Sequence, residues 1–237
     1  MSDLDAILAA AKGGDVNTVS ALLDGDPSLA TAANMFGSKP IHAAYFSGRH
    51  EVVDLLLSRG VSIDTGLAAE LGLLDRVHAA VEADPGCATA FGPQGSTLLH
   101  RACYWGQLAV SEFLLDSGAD PSAPTRDNFL QIPPLGCAVA TPDVPNPSDD
   151  EQIVLELVRL LLARGANVNG RRRDGLTALH SAAYRGHLLV ISCLLGHGAD
   201  PSIRGSQGPH DGQTAKDMAL SQGQTEAAAL LDQYTTA

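Results

Sequence analysis

Few residues of this chain could do chemistry. His42, His100 and His180 are of the type that ligates metals or moves protons, and Cys103 lies three residues after His100. On a helix that separation puts a thiol and an imidazole on neighbouring faces, an arrangement from which a thiolate nucleophile can be made. The alternative is that Cys103 is a small apolar core residue. His50, His78, His187, His197 and His210 show neither HxxxH nor HExxH spacing. Cys87, Cys103, Cys137 and Cys193 are far apart and form no CxxC, so they read as reduced core thiols of a cytoplasmic protein. GxSxG, the P-loop and GxGxxG are missing. The expectation is a chain with no catalytic residue, no metal site and no cofactor.

The elements that carry the three histidines are repeated. Pro40-Ile41-His42-Ala43-Ala44, Thr97-Leu98-Leu99-His100-Arg101-Ala102 and Thr177-Ala178-Leu179-His180-Ser181-Ala182-Ala183 share one pattern. A glycine follows each histidine by six residues, at Gly48, Gly106 and Gly186, and each copy runs into an apolar helix closed by glycine: DLLLSRG, EFLLDSG and SCLLGHG. GADPS occurs twice, and GANVN at 165–169 is a third variant. In Val52-Val53-Asp54-Leu55-Leu56-Leu57 the apolar positions at i, i+3 and i+4 make a face too wide to leave in water. One helix pair cannot bury that face, but pairs stacked side by side share a continuous core. Gly60, Gly118, Gly165 and Gly198 stand where a left-handed helix cap is needed. The pairs Ala43-Ala44 and Ala182-Ala183 allow close helix approach.

This pattern resembles the ankyrin repeat family, whose TPLHxA motif recurs with a period near 33. Aligned on the histidine position, the chain reads Leu8, His42, Gly66, His100, Gly136, His180 and Asp217, with spacings of 34, 24, 34, 36, 44 and 37. The resemblance implies an all-α, ankyrin-type helical repeat solenoid of about seven units, the first and last being degenerate caps, with short β-turn fingers. A single elongated domain over 1–237 is expected, in units of about 1–34, 35–60, 61–90, 91–124, 125–170, 171–204 and 205–237. In such repeats the motif histidine bonds the turn backbone and links neighbours. Successive histidines then stand roughly 10 Å apart, the packing distance of helices and too far to share a zinc ion. Cys103 falls on the family's Ala position. In the first unit Asp3, Asp5, Lys12 and Asp15 should face solvent, and Ile7, Leu8, Val19 and Leu22 the second unit.

Two spacings depart from the period. The step of 24 after His42 leaves SIDTGLAAELG to run from helix almost directly into helix, so a full finger should be missing there. The step of 44 after Gly136 contains an insertion at 141–150, between the two helices of the fifth unit, where three prolines exclude helix. Ser148 or Asp149 is expected to cap the helix starting near Glu151. Val144, Pro145 and Pro147 of the insertion are expected to lie close to Trp105 or Tyr184.

Charge narrows the partners. The formal net charge is −12, and residues 1–170 carry 21 acids against 9 bases while 171–237 carry 6 of each. That balance argues against nucleic acid and anionic membrane. The start has acids where a signal peptide needs bases, and no uninterrupted apolar stretch reaches the length of a membrane span. Richness in Ala, Gly and Arg with three lysines fits a high-GC bacterial genome. Arg171-Arg172-Arg173 is the single basic run, either a solvated finger tip or a patch for an acidic segment or phosphate, supported by Arg185 and Arg204.

The resemblance also locates a site. Positions four and five past the motif histidine face solvent in ankyrin-like repeats and line the concave groove that contacts partners. Here they are Phe46-Ser47, Glu70-Leu71, Tyr104-Trp105, Ala140-Thr141 and Tyr184-Arg185, so four of the ten aromatics fall in ten positions. Exposed Tyr, Trp and Arg dominate binding hot spots. Phe46, Tyr104, Trp105, Tyr184 and Arg185 are therefore the expected anchors, with Phe36, Gln94, Phe129, Arg172 and Asp174 as secondary contacts from the fingers. The implied function is non-catalytic binding of another protein by a monomer. The alternatives are a small-molecule binder or enzyme whose pocket is roofed by 141–150 beside Trp105, and a scaffold or self-association module.

Overall fold

The motif histidines start helices. The Thr97 hydroxyl accepts the His100 N–H at 3.4 Å, and the His100 ring returns the bond, its Nδ1 accepting the Thr97 N–H at 3.2 Å. This is a capping box with histidine in the place usually held by Glu or Gln. The ring Nδ1 of His42 accepts from the Lys39 N–H at 3.1 Å and that of His180 from the Thr177 N–H at 3.2 Å. Asp217 does the same with a carboxylate, accepting the Thr214 N–H at 2.9 Å.

The computed structural model of the chain describes residues 2–35, 37–140 and 150–235. They fall into two compact bodies, one ending at Leu67 and one beginning at Ala68. The first holds α1 (Asp3–Gly13), α2 (Val16–Gly25), a 3-10 turn at Pro27–Ala30, α3 (Pro40–Phe46), α4 (His50–Ser58) and the first residues of α5 (Thr65–Leu71). Here α1 packs on α3 and α2 on α4, around Ile7, Val19, Leu23, Ile41, Val52 and Leu56. Asp3, Asp5, Lys12 and Asp15 are exposed as expected of a terminal unit. Leu22 and Leu8 are only half-buried; on α2 it is Leu23 that reaches the interior, one position round the helix.

The second body holds the end of α5, α6 (Leu74–Ala83), a 3-10 turn at Pro85–Ala88, α7 (Leu98–Tyr104), α8 (Leu108–Asp116), α9 (Pro134–Val139), α10 (Glu151–Ala163), α11 (Ala178–Arg185), α12 (Leu188–Gly196), α13 (Ala215–Ser221) and α14 (Thr225–Thr235). The helices form two layers: α7, α9, α11 and α13 touch in succession, and so do α6, α8, α10, α12 and α14. Between the layers Leu99, Leu114, Leu157, Leu161, Leu179, Ile191, Leu194 and Leu231 are fully buried. Each such side chain stabilises the fold by about 1.5–3 kcal/mol. Ala182 and Ala183 have no exposed surface, as close packing of α11 requires.

The loops between pairs are tied sideways. The Arg126 N–H donates to the Gly95 carbonyl at 2.7 Å, Arg173 N–H to the Leu130 carbonyl at 2.7 Å, and Ser206 N–H to the Asp174 carbonyl at 2.8 Å. These bonds need close approach. A Cβ on Gly95 would stand 2.7 Å from the Arg126 carbonyl carbon, and one on Gly175 2.8 Å from the Ser206 nitrogen, and both glycines have positive φ (77° and 83°). The fingers of the second body are thus locked into a row. Between α4 and α5, by contrast, a short connection replaces the finger, and Asp64 caps α5 by accepting the Leu67 N–H at 2.7 Å.

Residues 141–149 lie outside the described residues, and with them Ser148, Asp149, Val144, Pro145 and Pro147. The cap of α10 is Asp150, one residue beyond the expected positions, whose carboxylate accepts the Gln152 N–H at 2.8 Å. Glu151 then reaches across to the next pair, where its Oε1 accepts the Leu189 N–H at 2.8 Å at the start of α12.

Candidate functional site

The expected anchors are held by the ends of the inner helices. In the first body Phe46 is half-buried, edge-on to Tyr45 at 5.5 Å and stacked 6.4 Å from His42. Phe36 lies outside the described residues. In the second body Tyr104 is half-buried at the end of α7, and Tyr184 is 41% exposed at the matching place on α11, edge-on to His210 at 6.4 Å. Arg185 is half-buried and donates from Nε to His187 Nε2 at 3.3 Å. Gln94 is exposed and receives the Arg101 guanidinium at 3.3 Å. Phe129 is 83% exposed. Arg172 and Asp174 are half-buried and paired with each other, Arg172 Nε to Asp174 Oδ1 at 3.2 Å, so their charges cancel locally.

Trp105 corrects the expectation. It is 3% exposed, and Glu70 and Leu71, at equivalent places on α5, are 6% and 3% exposed. The Trp105 N–H is bonded to the Arg101 carbonyl at 3.1 Å, and Arg101 pairs with Glu70 at 3.1 Å. The Gln107 amide then donates to the Glu70 and Trp105 carbonyls, both at 3.0 Å. With the backbone of this edge pinned from two sides, the indole is enclosed, and Tyr104 meets it edge-to-face at 5.8 Å. Burial of so large an apolar surface outweighs what solvent offers it. Trp105 is a supporting residue under Tyr104.

The motif histidines are structural. His100 Nδ1 accepts from Thr97, so Nε2 carries the proton and donates to the Ala123 carbonyl at 2.9 Å. Burial pulls the His100 imidazole down to about 4 and lowers that of His180 as well. His180 differs in that its buried Nε2 makes no well-formed hydrogen bond among the described residues. Among the described residues no three His, Cys, Asp or Glu side chains come together as a metal site. No helix of the described residues is long and apolar enough to cross a membrane.

Cys103 bonds Ser111 at 3.7 Å, and burial pushes its thiol up to about 12 and that of Cys137 up as well. A thiol so placed is not a nucleophile. Iodoacetamide at about pH 8 should therefore label the partly exposed Cys87 and Cys193 of the folded chain and spare Cys103 and Cys137 until denaturant is added. Mass spectrometry of the labelled peptides decides it. Equal labelling of Cys103 would restore the Cys–His reading.

Two residues escaped the sequence reading. Arg126 lies 3.8 Å over the Phe91 ring. Asp127 is the hub of the loop before α9, its carboxylate accepting the Thr125 hydroxyl and the N–H groups of Phe129 (2.7 Å) and Leu130 (2.6 Å). Burial would raise the Asp127 carboxyl, but these bonds bring it down to about 2. An Asp two residues before an aromatic, in a loop too long for a plain turn, was the available signal.

Comparison with known proteins agrees with this geometry. The ankyrin repeat description matches residues 36–66 and 94–126, and that of ankyrin repeats in three copies matches 151–236. A serine/threonine-protein kinase of Mus musculus is 31% identical over 59% of this chain and 16% of its own length. A probable E3 ubiquitin-protein ligase of Oryza sativa subsp. japonica is 28% identical over 82% of this chain and 38% of its own. The B-cell lymphoma 3 protein homolog of Mus musculus is 31% identical over 72% of this chain and 38% of its own. The chain spans well under half the length of each. With repeats matched on both sides of the insertion and helix pairs stacked in two layers, the chain belongs to the ankyrin repeat family.

Proposed function

We propose that the chain binds another protein, non-catalytically, through the groove between the inner helices and fingers of its second body, with Tyr104, Tyr184 and Arg185 as contacts; Phe46 is a separate candidate contact on the first body. Ankyrin repeats generally mediate protein–protein interaction. The observation that carries the reading here is Tyr184, a large ring left 41% exposed on a helix whose other face is fully packed. A rigid aromatic on a rigid scaffold loses little entropy on binding, which suits it to a hot spot.

A photo-cross-linking amino acid placed at Tyr184, compared with one at the exposed Glu156 of α10, tests this in source-cell lysate. The reading expects a discrete adduct with a second protein from position 184 and none from 156. Identical adducts from both positions, or none from 184, would contradict it.

A further inference from the structure

Phe129 is a large apolar side chain that a firmly held loop leaves in water. It is 83% exposed and its neighbour Leu130 37% exposed, yet the loop that carries them is held from several directions. The Asp127 carboxylate accepts the N–H groups of Phe129 and Leu130. The Thr125 N–H donates to the Ile132 carbonyl at 3.0 Å, and the Ile132 N–H to the Thr125 hydroxyl at 2.9 Å, closing the loop at its base. From the next finger Arg173 donates its N–H to the Leu130 carbonyl at 2.7 Å and its guanidinium to the Asn128 carbonyl at 2.6 Å. Gln131 is held at φ 50°, a left-handed conformation that non-glycine residues rarely take. A loop fixed this firmly keeps the ring in water in one place, and the ordering is done before any partner arrives.

The charge around it is positive. Arg126 spends its guanidinium on the Phe91 ring face and Arg173 on a carbonyl, so neither charge is cancelled by these contacts. Arg171, beside them in sequence, is exposed, and its charge is felt by the exposed Asp200, whose carboxyl is lowered first by its bonds to Ser202 and further by Arg171. Of the two acids of these fingers, Asp174 is paired with Arg172, while Asp127 keeps its charge but is turned to its own loop, so three guanidinium groups stand against one carboxylate. In a chain of net charge −12 this is a local reversal of sign, and charge complementarity selects an acidic visitor here and repels it elsewhere.

We infer that the fingers at 125–131 and 171–173 receive an acidic, extended segment of a partner protein, whose apolar side chain packs on Phe129 while its carboxylates meet Arg126, Arg171 and Arg173. The inference rests on the protein-binding reading and adds the partner's chemistry to it. Guanidinium forks pair with carboxylates in two parallel bonds, and an exposed ring gives such a segment its register.

The test pans a random peptide library of about twelve residues on the full chain, then measures the selected peptides as synthetic, fluorescently labelled probes. Acidic residues flanking an apolar one should be enriched. Affinity should fall about tenfold or more in Phe129→Ala and several-fold in Arg126→Gln, and weaken as salt rises. Phe129 makes little packing contact, so its variant should fold as the parent does, which circular dichroism checks. If the selected peptides lose affinity in Tyr184→Ala but keep it in Phe129→Ala, the groove reading stands and the finger site is wrong. Peptides without acidic enrichment, binding indifferent to salt, or no selected peptide at all would each overturn the acidic-segment inference. Concentration-dependent self-association abolished by Phe129→Ala would do so as well, by making a second copy the occupant.

Discussion

Between pH 7 and pH 4 the protein is expected to lose about 3 kcal/mol of stability through His100 alone. The imidazole is fully interior and burial holds its folded value near 4, below the ordinary 6.5 of an unfolded histidine. The unfolded chain therefore binds the proton first as pH falls, and stability drops from about pH 6.5 to about 4, then levels off. His180 is shifted the same way and adds to the loss. Asp127 titrates elsewhere, since its carboxyl lies near 2 and the stability it contributes is lost only below the ordinary carboxylate range. Urea unfolding at about pH 7, 5.5 and 4.5 measures the slope. In His100→Ala stability at neutral pH should fall by about 1–3 kcal/mol, from the lost capping box and the lost bond to the Ala123 carbonyl, and the acid slope should flatten. An unchanged slope would mean that His100 is not the group that resists protonation.

Trp105→Ala should cost about 3–5 kcal/mol, the loss expected when a buried indole leaves a cavity. Tyr184→Ala should cost much less, about 1 kcal/mol, because that ring is 41% exposed and its named ring contact is the edge of His210. The contrast separates a residue that supports the groove from one that serves it. As Trp105 is the only tryptophan, its emission in the folded parent should be blue-shifted and move red on unfolding. Circular dichroism then follows the variant. A stable Trp105→Ala that lost only binding would return Trp105 to the solvent-facing row.

How far the sequence carried depends on which physical scale decides each feature. The histidine registers, the closing glycines and the short step of 24 are set by local backbone needs, and Gly60, Gly118, Gly165 and Gly198 all adopt positive φ in the structure. The missing finger between α4 and α5 follows from chain length alone. Trp105 was not legible because its burial is set with Glu70, which an adjacent repeat brings against Arg101 and Gln107 of its own repeat, and not by its register alone. The cap of α10 was missed by one residue because Ser148, Asp149 and Asp150 are all competent acceptors and the backbone path chooses among them. Phe129 stood out only as an aromatic in a finger; the firmness of its loop comes from Asp127 and from Arg173, 46 residues after Asp127 in the chain.

The most direct measurement of the central claim is affinity capture from source-cell lysate on the full chain, against a Tyr104→Ala/Tyr184→Ala variant matched to the parent by unfolding midpoint. The account predicts that the parent retains a defined protein in near-stoichiometric amount and that the variant retains it at least about tenfold less, as loss of hot-spot rings implies. Equal retention by both chains, with the folded state of the variant intact, would contradict binding through these rings.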